Sequence, residues 1–364
     1  MRRGAGFTLV ELLLALGLLS VLLVALVRLL DTSLKIWDRT EVSRDLQEMG
    51  GAVLDLVAED LWSLEAGPRG DLLGDWAKFD VDHDGQLGGL MPRLRFVRQA
   101  TAVDLLRATP PVSDDEELSP TEVRYGKIDP REKGLLEVCW ALLPPSSVGP
   151  DERPLGLLFR GERRLEGDTL SFLDPRFFNA VGKPPAGSLD LVTGGVLWLE
   201  VVYASQTTVL SDGWKQGEDL SDCSTSWDAW DRGRPDLEVT YLNTTAAGMP
   251  EVDELPVLPR RVLVTVELER PADLKRRTRL LSAIAPESNE LLVDDERKLP
   301  EKDGLILVGE EWMRVLTIGP GYTTVLRAQR GTRADVHEAG AMIHWGHAMQ
   351  REIPIPTMRE DWDL

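Results

Sequence analysis

The stretch Gly6-Phe7-Thr8-Leu9-Val10-Glu11-Leu12 opens an apolar run that continues to Leu30, and its reading decides how the rest of the chain is organised. No charge falls between Leu12 and Val27. As a helix, residues 7–30 span roughly 36 Å at about 1.5 Å per residue, enough to cross a bilayer. Arg2 and Arg3 precede the run, so the positive-inside bias keeps the amino end cytoplasmic and places the remainder outside the membrane. A secretory signal peptide has an apolar core of about 7–15 residues that ends at an Ala-x-Ala-like site. This run is longer and no such site follows it. A plain signal anchor has the right length but leaves Glu11 unexplained. A carboxylate costs up to about 2.5–3.5 kcal/mol at mid-membrane, less near an end, so one inside the run points to function.

A short basic leader, then Gly6, Phe7 and Thr8-Leu9-Val10-Glu11 before an apolar helix, resembles the processing site of the type IV pilin and pseudopilin superfamily. The resemblance implies that a prepilin peptidase cuts after Gly6 and methylates the new amino terminus, Phe7. It also implies that Glu11 is the fifth residue of the mature chain. A carboxylate in lipid needs a partner, and the amine of Phe7 on a neighbouring subunit could supply one.

Beyond Leu30 the helical rhythm persists while the composition turns polar. Val42, Leu46, Met49, Val53, Val57 or Leu56, Leu61 and Leu64 recur at spacings of three and four. Asp38, Arg39, Glu41, Arg44, Asp45 and Glu48 fill the other face, Gly50 and Gly51 weaken the middle, and Gly67-Pro68 ends the run. One helix is therefore expected from about Phe7 to Ala66, transmembrane first and amphipathic second. After it come strand-like stretches at 93–97, 122–128, 135–143, 155–159, 196–204 and 261–268, separated by Pro- and Gly-rich breaks. The expected fold class is α+β: a long amino-terminal helix packed on an antiparallel β head.

Within the superfamily, the strands near Leu94-Arg95-Phe96-Val97-Arg98, Glu137–Leu142, Leu197–Tyr203 and Leu258–Val266 resemble the J-type minor pseudopilin of type II secretion. Residues from about 278 to 348 break that pattern. They read as a compact all-β insertion with strands near 290–293, 305–315, 323–326 and 341–345. The Gly309-Glu310-Glu311-Trp312 strand and the Arg330-Gly331-Thr332…His337…Ala339-Gly340 loop resemble a small β module of phage-tail and other surface structural proteins. The expected division is a leader (1–6), a transmembrane helix (7–30), its amphipathic continuation (31–66), a pilin-like head (67–277), the inserted module (278–348) and a carboxyl-terminal strand and tail (349–364).

Asp80-Val81-Asp82-His83-Asp84-Gly85-Gln86 matches positions 1, 3, 5, 6 and 7 of an EF-hand-type loop. Position 12 would be Met91, not the bidentate Glu, so a full EF-hand is absent. Two readings stand: Asp80, Asp82, Asp84 and the Gln86 carbonyl hold calcium with a ligand from elsewhere, or the segment is an acidic turn capped by its own Asp side chains. Calcium loops recur among pseudopilin heads, which favours the first. Cys139 and Cys223 are a candidate disulfide pair if exported, or two separate thiols. His337, His344 and His347 lack metal-ligand spacing and read as structural loop histidines. Trp214, Trp227 and Trp230 read as packing residues.

The whole chain carries 41 Lys+Arg against 61 Asp+Glu, net −20, which argues against nucleic-acid binding and against adhesion to anionic lipid heads. No nucleophile triad, phosphate loop or paired catalytic carboxylate stands out, so no enzyme is expected. The resemblance implies a structural part of a periplasmic pseudopilus, held in a bacterial inner membrane by one pass. Its implied partners are the prepilin peptidase, other minor and major pseudopilins, and secreted cargo or other secretion-system proteins. A minor type IV pilin, or a membrane-anchored surface binding protein or adhesin, is the alternative.

Overall fold

The computed structural model describes residues 9–79, 89–100, 134–144, 156–165, 169–178, 182–204, 223–230, 256–269 and 277–356. The chain is α+β and divides into two compact units, Met1–Met49 and Gly50–Leu364. In the first unit, helix α1 (Leu9–Trp62) begins with the apolar run. In the second, residues 50–62 of α1 bury Val53, Leu54, Val57, Ala58 and Leu61 along one stripe. Val57, not Leu56, is the buried choice between the two. The helix ends at Trp62, one turn before the expected Gly67-Pro68, because Leu64 leaves it to bridge Arg98 and Glu65 donates its amide to the Val97 carbonyl.

The head strands are β1 (Leu72–Phe79), β2 (Gly89–Gln99), β3 (Leu135–Leu143), β4 (Gly156–Arg164), β5 (Asp190–Ala204), β6 (Cys223–Ser224), β7 (Trp227–Asp228) and β8 (Arg261–Leu268). They and β14 (His347–Pro354) form a nine-stranded antiparallel sheet in the order β14-β8-β5-β4-β3-β2-β1-β7, with β6 on β5. The segment 223–228 pairs with β5 through β6 and with β1 through β7, so the sheet curls on itself. Tyr203 of β5 thereby reaches Gly74 of β1, where a Cβ would stand 2.0 Å from its hydroxyl. Only glycine fits there.

Strand alternation gives the sheet two faces. Trp140, Arg160 and Arg98 point toward α1, which covers that face. Glu137, Cys139, Arg95 and Arg163 point the other way, where residues 169–178 cover them. Phe172 packs near Gly161 on that side, and stacks edge-on to Phe177 at 4.9 Å.

Between β8 and β14 lies a second, five-stranded antiparallel sheet. Its strands are β9 (Glu290–Leu291), β10 (Leu305–Val308), β11 (Glu311–Gly319), β12 (Tyr322–Gln329) and β13 (Ile343–His344), in the order β13-β10-β11-β12-β9. The expected single strand 305–315 is a hairpin, turned at Gly309 with φ 57°. This sheet has its own core, including Leu280, Leu291, Ile306, Met313, Val315, Val325 and Ile343.

Candidate functional site

The amino-terminal helix leaves its apolar side chains uncovered. From Leu9 to Leu30 the large apolar side chains that can be described are all more than half exposed, Leu9 by 76% and Leu22 by 65%. The window Leu16–Ser33 is long and apolar enough to cross a membrane. Two of its hydroxyls bond within the helix: that of Ser20 donates to the Gly17 carbonyl at 2.8 Å and that of Thr32 to the Arg28 carbonyl at 2.9 Å. That internal pairing keeps hydroxyls inexpensive in an apolar medium. Burying about 25 cal/mol per Å² of such surface is the force that would seat this segment in lipid or against other helices. Glu11 belongs to α1, with its side chain outside the described residues. The processing pair Gly6 and Phe7 also lies outside them.

At the other end of α1 one carboxylate fixes the helix to the sheet. Asp60 is 2% exposed. Its oxygens accept from Arg160 Nε at 2.7 Å and Nη2 at 2.6 Å, and from Trp140 Nε1 at 2.9 Å; Arg98 Nε stands at 3.2 Å. Glu162 takes the second amino group of Arg98 at 2.9 Å and also pairs with Arg160. Three strands thus converge on one helical residue. The partners lie 38 to 100 positions away, which is why the sequence gives no hint of them.

The opposite face holds a second set of buried ions. Asp75 receives Arg93 at 2.6 Å and Arg95 at 2.5 Å, and Arg95 also donates to the Phe172 carbonyl at 3.2 Å. Glu137 pairs with Arg163 and accepts from Ser171 Oγ at 2.9 Å and the Phe172 amide at 2.8 Å. Between them sits Cys139, fully buried and a free thiol. Its candidate partner Cys223 has its side chain outside the described residues. Cys139 lies on β3 between Arg95 and Gly161, whereas Cys223 pairs with Ala204 on β5, with β4 intervening. Burial pushes the Cys139 thiol up to about 12.

The candidate calcium residues Asp80, Asp82, Asp84 and Gln86 lie outside the described residues. Among the described residues, no group of three or more His, Cys, Asp or Glu could hold a metal ion. His337 and His344 are buried, each against one glutamate: His337 Nε2 stands 2.8 Å from Glu311, and His344 Nδ1 2.7 Å from Glu269. Burial alone would raise the Glu311 carboxyl. Hydrogen bonds from Arg327 and His337, and from the amides of Asp335 and Ala328, override it and hold the group at about 2. Trp227 packs as expected, donating Nε1 to the Val257 carbonyl at 2.8 Å. Trp230 donates to the Gly70 carbonyl at 2.9 Å, and Trp214 lies outside the described residues.

No curated protein matches the chain. Residues 1–27 match the prokaryotic N-terminal methylation motif, the prepilin type of amino terminus, and so support a type IV pilin-like or pseudopilin protein processed by a prepilin peptidase and anchored by its single amino-terminal helix.

Proposed function

We propose that the chain is a structural minor pseudopilin of a type II secretion system, without catalytic activity, acting near the tip of a periplasmic pseudopilus. The observation that carries the reading is an uncovered apolar helix that begins inside a methylation motif. Prepilin peptidase would cut after Gly6 and methylate Phe7, and helix packing with other pseudopilins would then cover Leu9–Leu30. Glu11 would meet the Phe7 amine of a neighbour, neutralising a charge that lipid disfavours. The head would lie in the periplasm and meet partner heads or cargo, and Asp80, Asp82, Asp84 and Gln86 would take calcium there. The resemblance of the sequence near Leu94–Arg98, Glu137–Leu142, Leu197–Tyr203 and Leu258–Val266 to J-type heads is what favours the secretion reading.

Co-purification tests it. Detergent extracts of the native cell should yield this chain with other pseudopilins and not with extended surface pili. Recovery in surface fibres would favour the minor type IV pilin. Recovery alone on the cell surface would favour an anchored binding protein, to which the second β sheet would contribute a surface.

A further inference from the structure

Strands β8 and β14 pair in unbroken register from Leu268↔His347 to Arg261↔Pro354. They pair as the two arms of a β-hairpin, and residues 277–346 lie between those arms in sequence. The inserted part closes on itself: Arg279 bridges Met342, Leu280 bridges Val293 and Ile284 bridges His337. With a core of its own, it has the makings of an independently stable body.

It is nevertheless seated on the head. Leu197 and Trp198 of β5, with Trp76 of β1, meet Leu307 and Trp312 of the insert in one apolar cluster. Trp198 lies 5.5 Å from Trp76 and 5.9 Å from Trp312, ring centre to ring centre. Arg330 enters this cluster from the insert. Its guanidinium stands 4.1 Å from the Trp312 ring and 4.9 Å from the Trp198 ring, and donates to Glu267 of β8 at 2.8 Å. Glu267 also accepts the Gly346 amide at 3.0 Å, where the chain returns to the head. One turn of backbone is bent to make this contact: Ala328 has φ 57°, Arg330 φ 55° and Gly331 φ 71°. A left-handed conformation at two residues with side chains is costly and persists where surrounding contacts enforce it. Thr332 enforces it locally, accepting the Trp312 amide and donating to the Gln329 carbonyl.

We propose that Arg330 is the pin that docks the insert on the head, with Trp198 and Glu267 as its socket, and that the insert is a separately folded body held rigid by that pin. A planar guanidinium over two indoles, largely desolvated and paired with a carboxylate, is a strong polar contact across the junction. This inference does not depend on the pseudopilin reading, because it concerns only how one part of the chain holds another.

Hydrogen exchange on the detergent-solubilised full chain tests it. In Arg330→Ala, the junction amides of Glu269 and Gly346 should exchange at least tenfold faster. The amides of Leu280, Val315 and Val325, hydrogen-bonded within the insert, should keep their wild-type protection. Equal loss at both sets would mean that Arg330 holds up the insert's own fold, and unchanged junction amides would mean that no pin exists. Either result overturns the proposal. If Arg330→Ala does not fold, Glu267→Gln keeps the ring contacts, removes the charge pair and is read by the same two sets of amides.

Discussion

Asp60 and Arg160 meet through two parallel hydrogen bonds, 2.7 and 2.6 Å long, that join the last turns of α1 to the fourth strand of the head. Such a fork is the geometry in which a guanidinium and a carboxylate bind most specifically. Asp60 is buried and Arg160 largely so, which makes the net contribution smaller than the contacts suggest, but removing one partner strands the other's charge. Asp60→Ala should destabilise the head by about 3–5 kcal/mol in urea unfolding, and Arg160→Ala by a similar amount. If both variants lie within about 0.5 kcal/mol of wild type, as surface substitutions usually do, the clamp is not structural.

Two adjacent glycines in α1 should behave differently. A Cβ on Gly51 meets nothing within 4 Å, so Gly51→Ala should stabilise by about 0.5–1 kcal/mol through helix propensity. A Cβ on Gly50 would stand 2.0 Å from the Met349 methyl. Gly50→Ala must move that side chain, so it should fall short of the Gly51→Ala gain in the same thermal melt.

Gly74→Ala should be far more damaging than either. The obstacle is the rigid ring of Tyr203, with atoms 2.0 to 2.8 Å from the new Cβ, not a pliable thioether. A loss of about 1–3 kcal/mol is expected, the usual cost of overpacking. A melt unchanged from wild type would contradict the curl of β5 over β1.

Acid should loosen the inserted sheet. Glu311 is held at about 2 against an ordinary 4.5. Its contribution is thus fully present above the unfolded value and is lost as pH falls from about 5 toward 2. Fluorescence or circular dichroism across that window should show a stability loss that Glu311→Gln reduces. The Gln variant should start lower at neutral pH, since Arg327 and His337 lose their charged partner.

Cys139 should resist alkylation until the head unfolds. Its thiol is raised to about 12 and wholly buried, and the thiolate is the reactive form. Rapid labelling in native protein, read by peptide mass, would show that residues 169–178 do not cover that face.

Apolar pattern made some elements legible and buried charge hid others. Strands β3 and β8 begin and end where expected, β3 because it is a near-continuous apolar run buried on both faces and β8 because its apolar and polar residues alternate. Strand β1, Leu72-Leu73-Gly74-Asp75-Trp76-Ala77-Lys78-Phe79, is not among the expected strands, since Gly74-Asp75 in its middle is a turn-type pair. In the fold Gly74 makes room for Tyr203 and Asp75 is neutralised by Arg93 and Arg95. Likewise Asp60, Glu137 and Arg330 resemble solvated charges in sequence. Their partners lie on other strands, and no local spacing announces them. The methylation motif was legible because peptidase recognition is written in consecutive residues, and the apolar helix because lipid demands an unbroken run.

The amino terminus of the working protein distinguishes a processed prepilin from any other membrane-anchored chain. Mass spectrometry of the chain isolated from its native membrane reads it directly. A mature amino terminus at Phe7 carrying one methyl group, with residues 1–6 removed, is the predicted result. An intact Met1, or cleavage beyond Leu30, would contradict it.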